Sequence, residues 1–189
     1  MYHCHMCFYL IGRKSSLFET IKEMPALEAF THEFFESDTL RRELVKKADV
    51  IIADLRDVDA VETARSFVTL KNPETELILL AEKPQVVELL DDPAEMSTDI
   101  SNIWTLPLSV SETKFYFLKW QQQLRERKDG WQTGQYLEAS INGTPDLIWF
   151  KSKDGIHEKV NDSFCRTVNK TKEQIQGRGH AYIWDVEQD

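Results

Sequence analysis

The chain has 189 residues, 41% hydrophobic and 29% charged, with only 7 Gly and 6 Pro. This excludes a disordered or low-complexity protein and leaves room for one large domain or one domain and part of a second. Lys plus Arg is 23 against 32 Asp plus Glu, a formal charge of -9, which repels phosphate backbones and anionic headgroups, so neither nucleic acid nor membrane is expected as a partner.

The apolar stretch from Met6 to Gly12 is too short to span a bilayer and lacks the flanks of a secretion signal, so the expectation is a cytoplasmic protein with reduced thiols. In chain order, the first strand candidate is His3 to Ile11, and it carries His3-Cys4-His5-Met6-Cys7. Cys-x-x-Cys with neighbouring histidines is a pattern for zinc or thiol exchange. In an extended strand, however, Cys4 and Cys7 face opposite ways, so plain core or strand-edge thiols are the favoured reading and no metal is assigned.

Four more strand candidates follow at Glu28 to Phe35, Val50 to Ala53, Glu76 to Ala81 and Asn102 to Leu106. Val50-Ile51-Ile52-Ala53 and Leu77-Ile78-Leu79-Leu80 are continuous apolar runs, the pattern of central strands buried on both faces. Helical segments alternate with them. Ser16 with Glu19 and Ser109 with Glu112 fit capping boxes, Pro84 fits a first turn, and Leu40, Leu44 and Ala48 share a face, as do Val61, Ala64 and Val68. Five such βα units predict a flavodoxin-like, doubly wound parallel sheet of order 2-1-3-4-5 over residues 1–110, with its functional surface at the carboxyl ends of the strands.

This arrangement resembles the receiver domain of two-component response regulators, with Asp54 closing the third strand where that family places its phosphoacceptor. The likeness is degenerate. Ile11-Gly12-Arg13-Lys14 replaces the acidic residues after the first strand, Ala81-Glu82 the hydroxyl after the fourth, and Leu106 the lysine before Pro107. Without carboxylates for Mg²⁺ and with few cations in place, phosphoryl transfer to Asp54 is not expected. Asp54 is read as a vestigial phosphoacceptor, and as a capping or solvated loop carboxylate beside Asp57 and Asp59, with Arg13 and Lys14 as candidate partners.

Residues 111–135 read as a connecting helix and hinge. Phe117, Leu124 and Trp131 recur at heptad spacing and form a candidate dimer seam, although Gln121 and Lys128 weaken the second seam. The alternative is an ordinary terminal helix packed on its own sheet through Phe115 and Leu118. Gly130 and Gly134 place the expected hinge at Asp129 to Gly134.

Residues 136–189 change texture: a short helix, Asp146 to Lys151, a turn at Lys153-Asp154-Gly155, and Ile156 to Val160 predict a hairpin. Asn161 or Asp162 should cap a helix bearing Phe164 and Val168, and Thr171 with Gln174 forms another capping box before Gly177. Ile141 to Phe150, Lys153-Asp154-Gly155, Val160 to Cys165 and Gly177-Arg178-Gly179-His180 resemble the first half of a PAS domain. The strands that would close its sheet do not occur before Asp189, so a longer polypeptide or a partner is expected to supply them. Trp149, Phe150, Phe164, Tyr182 and Trp184 are candidate pocket residues, though aromatics at such spacing are more often core.

The resemblance is to the input region of bacterial GGDEF diguanylate cyclases. It implies a homodimeric sensory module, without catalytic residues or cofactor of its own and with an unnamed PAS ligand, that controls cyclic-di-GMP synthesis by a downstream output domain. The alternatives are the input region of a histidine kinase and a thiol or metal protein using Cys4 and Cys7.

Overall fold

The computed structural model describes residues 4–91 and 99–184; His3 of the cysteine cluster lies outside them. The chain forms two units, Met1–Gln123 and Leu124–Asp189.

In the first unit, β-branched and aromatic runs form five strands: β1 (Cys4–Ile11), β2 (Phe30–Ser37), β3 (Val50–Asp54), β4 (Glu76–Glu82) and β5 (Asn102–Leu106). All pairs are parallel and the order is β2-β1-β3-β4-β5, the flavodoxin-like order expected from the sequence. β3 and β4 are central, and their apolar residues are buried on both faces. β2 begins later than the sequence predicts because Ala29 adopts φ 72, a left-handed conformation that cannot extend a strand.

Alternation along β1 divides the core in two. Tyr9 and Ile11 join Val45, Ala64 and Phe67 on one face. On the other, Phe8 packs against His32, Phe34, Phe117 and Trp120, with ring centroids 4.8–5.8 Å from its own.

The helices of this unit are α1 (Ser16–Glu23), α2 (Arg42–Lys47), α3 (Ala60–Leu70), α4 (Lys83–Asp91) and the start of α5 (Val110–Asn142). The box expected at Ser16 and Glu19 does not form. Ser15 is the N-cap residue, and Glu19 instead binds Lys22 at 2.8 Å. The box at Ser109 does form: Glu112 Oε2 accepts from the Ser109 N–H at 2.8 Å, and Ser109 Oγ accepts from the Glu112 N–H at 3.2 Å. Pro84 lies in the first turn of α4, and Leu40 and Ala48 flank α2 yet contribute to the same core.

At the expected hinge, Asp129 to Gly134, the helix does not break, and α5 runs from Val110 to Asn142. A helical glycine costs about 1 kcal/mol relative to alanine, and the surrounding Gln, Glu, Arg, Lys and Leu residues favour the helix strongly enough to carry two. The start of α5 covers its sheet through Phe117 and Trp120 rather than Phe115 and Leu118, which are 57% and 37% exposed.

In the second unit, β6 (Trp149–Lys151) and β7 (His157–Val160) form an antiparallel hairpin, with Gly155 at φ 78 in the turn. Then come α6 (Asp162–Val168), α7 (Lys172–Ile175) and α8 (His180–Trp184). Val160, Phe164, Ile175 and Ile183 form the core. Asn161 holds these pieces together: its Oδ1 accepts from the Ile148 and Phe164 N–H groups at 3.1 and 3.0 Å, and its Nδ2 donates to the Ile141 and Asp146 carbonyls at 2.9 and 2.8 Å. The Ile148 bond explains why β6 starts later than Asp146. The Thr171–Gln174 capping box forms as expected, and Gly177 turns the chain with φ 77.

Among the described residues, no helix is long and apolar enough to cross a membrane.

Candidate functional site

At the carboxyl ends of β1 and β3 the sheet opens into a cleft of about 530 Å³ whose lining includes Ile11, Gly12, Arg13, Leu40, Asp54 and Arg56. β3 delivers Asp54 to this cleft because its apolar residues lock the strand in the sheet centre up to the last position. The side chain of Asp54 is 1% exposed, so it is neither the helix cap nor the solvated carboxylate the sequence suggests; Asp59 caps α3, accepting from the Glu62 N–H.

The partner of Asp54 is Arg56, not Arg13 or Lys14. Arg56 Nε donates to both carboxylate oxygens at 3.0 and 3.1 Å, its Nη2 lies 2.5 Å from Oδ2, and its backbone N–H donates to Oδ1 at 3.1 Å. These bonds raise the Arg56 pKa above its ordinary value against the opposing pull of burial, with Asp57 and Glu82 adding to the rise. Arg13 is drawn away to the exposed Asp57, 3.2 Å distant. The nearest sequence signal was the Asp-x-Arg spacing itself, since an arginine two positions beyond a strand end can fold back on the acid.

Gly12 closes the other side. It adopts φ +131, and a Cβ there would lie 2.7 Å from the Asp54 Cβ. Only glycine allows the loop after β1 to approach so closely. The receiver-motif departures seen in the sequence remain in place: Leu106 precedes Pro107 through a cis peptide, and Glu82 ends β4. Asp54 therefore faces a cation already bound through both oxygens, and a phosphoryl donor would have to displace Arg56.

The other predicted residues do not form one site. Cys4 and Cys7 alternate along β1 and do not converge. Burial first, then the Glu33 hydrogen bond, raises the Cys7 thiol pKa, which opposes nucleophilic thiol chemistry. Cys7 instead lies beside His5 and Glu33. Glu33 was missed because it comes from the neighbouring strand and only the register reveals it.

Of the proposed dimer seam, Phe117 is fully buried in the first unit's core and Leu124 is 6% exposed, whereas Trp131 is 67% exposed. A buried core residue cannot also form an outward seam, so the three do not make one surface.

The five candidate pocket aromatics likewise divide. Phe164 is core, in ring contact with Trp149 and Trp184 at 5.7 and 5.8 Å. Tyr182 sits beneath the Arg178 guanidinium at 5.0 Å, and Phe150 is 43% exposed. A cleft of about 140 Å³ in this unit is lined by Glu138, Lys159 and Lys172 among others, rather than by the aromatics.

No family model matches the chain, and no curated protein matches it. Among solved structures it is similar to the ChxR receiver domain from Chlamydia trachomatis, at 17% identity and a TM-score of 0.30, over 60% of this chain and 98% of that one. A likeness of that size carries no functional inference, and the flavodoxin-like assignment rests on the strand order.

Proposed function

We propose that this chain is the regulatory input region of a bacterial signalling protein, in which a receiver-like domain works without phosphorylation and an α-helix leads into a PAS-like unit. The observation that supports this reading most is the bidentate Arg56 cation on a buried Asp54 at the end of β3, where a receiver would need a free carboxylate and Mg²⁺.

In the finer reading, the whole protein is a dimer whose input region controls a downstream diguanylate cyclase through α5. Cyclases of this kind join two substrates across two subunits, so control of subunit meeting is control of output. A signal would bias the packing along α5 between two states. Trp131 is the seam residue exposed enough to meet a partner.

Two measurements test this. Mg²⁺ titrated into the chain should leave the resonances of Gly12, Asp54 and Arg56 in place; a saturable shift overturns the phosphorylation-independent reading. The product of the complete native frame should make cyclic-di-GMP from GTP and carry a Gly-Gly-Asp/Glu-Glu-Phe loop past Asp189; its absence removes the cyclase reading and leaves the first.

A further inference from the structure

At the opposite end of the sheet from the Asp54 cleft, three donors of different chemistry converge. β1 and β2 pair with Cys7 opposite Glu33 and His5 opposite Thr31. Alternation therefore places His5, Cys7 and Glu33 on one face, with Cys4 on the other. Cys7 Sγ and His5 Nε2 each lie 3.5 Å from Glu33 Oε2, and the three donor atoms are all within 4.8 Å of one another.

The surroundings suit a cation. His5 Nδ1 lies 2.9 Å from Thr31 Oγ1, an outer contact that orients the ring and leaves Nε2 to the cluster. Asp49 Oδ2 accepts from the Cys7 backbone N–H at 2.8 Å, fixing the strand and adding negative charge. An opposing charge close by is Lys47, 3.7 Å from Glu33, and it has a second partner 4.0 Å away in the Phe35 ring.

Zinc binds sulfur at about 2.3 Å and nitrogen or oxygen at about 2.0–2.2 Å in a tetrahedron, whose edges are then about 3.4–3.6 Å. The two 3.5 Å separations to Glu33 match those edges, while His5 and Cys7 lie within 4.8 Å of each other and would close in as the cation binds. We infer that His5 Nε2, Cys7 Sγ and a Glu33 carboxylate oxygen form a site for a zinc-class divalent cation, with water as fourth ligand. The thiol proton passes to solvent as the sulfur ligates. Thiolate and imidazole together select this class over Mg²⁺ and Ca²⁺. Bound there, the cation would clip the edge strand β2 to β1.

The test is titration of the full chain with Zn²⁺, and with Co²⁺ followed by its thiolate charge-transfer absorption. One equivalent is expected to bind and give that band. Cys7→Ser should abolish the band and Cys4→Ser should keep it. Thr31→Val should weaken Zn²⁺ binding by about 10- to 100-fold, and Glu33→Gln by more. Because Cys7 is buried and its variant could misfold, the metal-free melting temperature of Glu33→Gln is measured beside the parent's. No thiolate band, equal loss in Cys4→Ser, or unchanged Zn²⁺ affinity in a well-folded Glu33→Gln would each overturn the site.

Discussion

The two ends of β1 bring acidic side chains to contrasting surroundings. At the carboxyl end, Asp54 is buried and both its oxygens are taken by Arg56, a residue of its own loop. At the amino end, Glu33 is exposed and shares its Oε2 with an imidazole and a thiol from the neighbouring strand. A carboxylate held through both oxygens by a guanidinium is closed to a metal, whereas donors converging from two strands can still rearrange around one. At the carboxyl-end cleft, Asp54 is therefore closed to metal chemistry by its own ion pair.

The change that should break this contrast most strongly is Gly12→Ala. It forces an L side chain to φ +131 and against the Asp54 Cβ, at a cost of about 3–4 kcal/mol in urea unfolding. Next is Arg56→Ala, which leaves a buried carboxylate unpaired and should cost about 2–3 kcal/mol, less than for a fully buried pair because the arginine is 26% exposed. Asp54→Asn should cost less than Arg56→Ala in the same assay, since it removes the buried charge and leaves Arg56, which is 26% exposed and can turn to solvent. If Arg56→Ala is as stable as the parent, the ion pair is not what neutralises Asp54.

The second unit sharpens the comparison through pH. Glu138, hydrogen-bonded by Lys172 and Lys159, has its pKa lowered from 4.5 to about 2. Its folded pKa lies below its unfolded one, so its stabilisation is present above pH 4.5 and is lost as pH falls toward 2. Solvent screening holds this to about 1 kcal/mol. Glu138→Gln should flatten that limb of the stability profile.

His157 is the smallest effect expected. Burial lowers its pKa despite its contact with the Arg178 carbonyl, so stability should fall as pH drops below the ordinary value of 6.5. His157→Gln should remove that slope, measured by thermal melting across the range.

The central place of β3 and β4 was legible because Val50 to Ala53 and Leu77 to Leu80 are apolar without interruption, the pattern of strands buried on both faces. Asn161, Gly155 and the Thr171–Gln174 box were legible for a related reason, since caps and turns are set by bonds over a few residues. The sites were not. Arg56 lies beside Asp54 in the chain, yet nothing local says that it folds back rather than outward. Glu33 meets Cys7 only through a parallel pairing whose register depends on the whole sheet. Phe117, Leu124 and Trp131 show the converse: even spacing suggested one surface, and burial by the sheet takes Phe117 out of it.

The most direct test of the central claim is exposure of the chain to phosphoramidate and Mg²⁺, read by intact mass. The parent should gain no phosphoryl group, because Arg56 occupies both oxygens of Asp54. A stoichiometric gain that disappears in Asp54→Asn would show Asp54 to be a working phosphoacceptor and contradict the account.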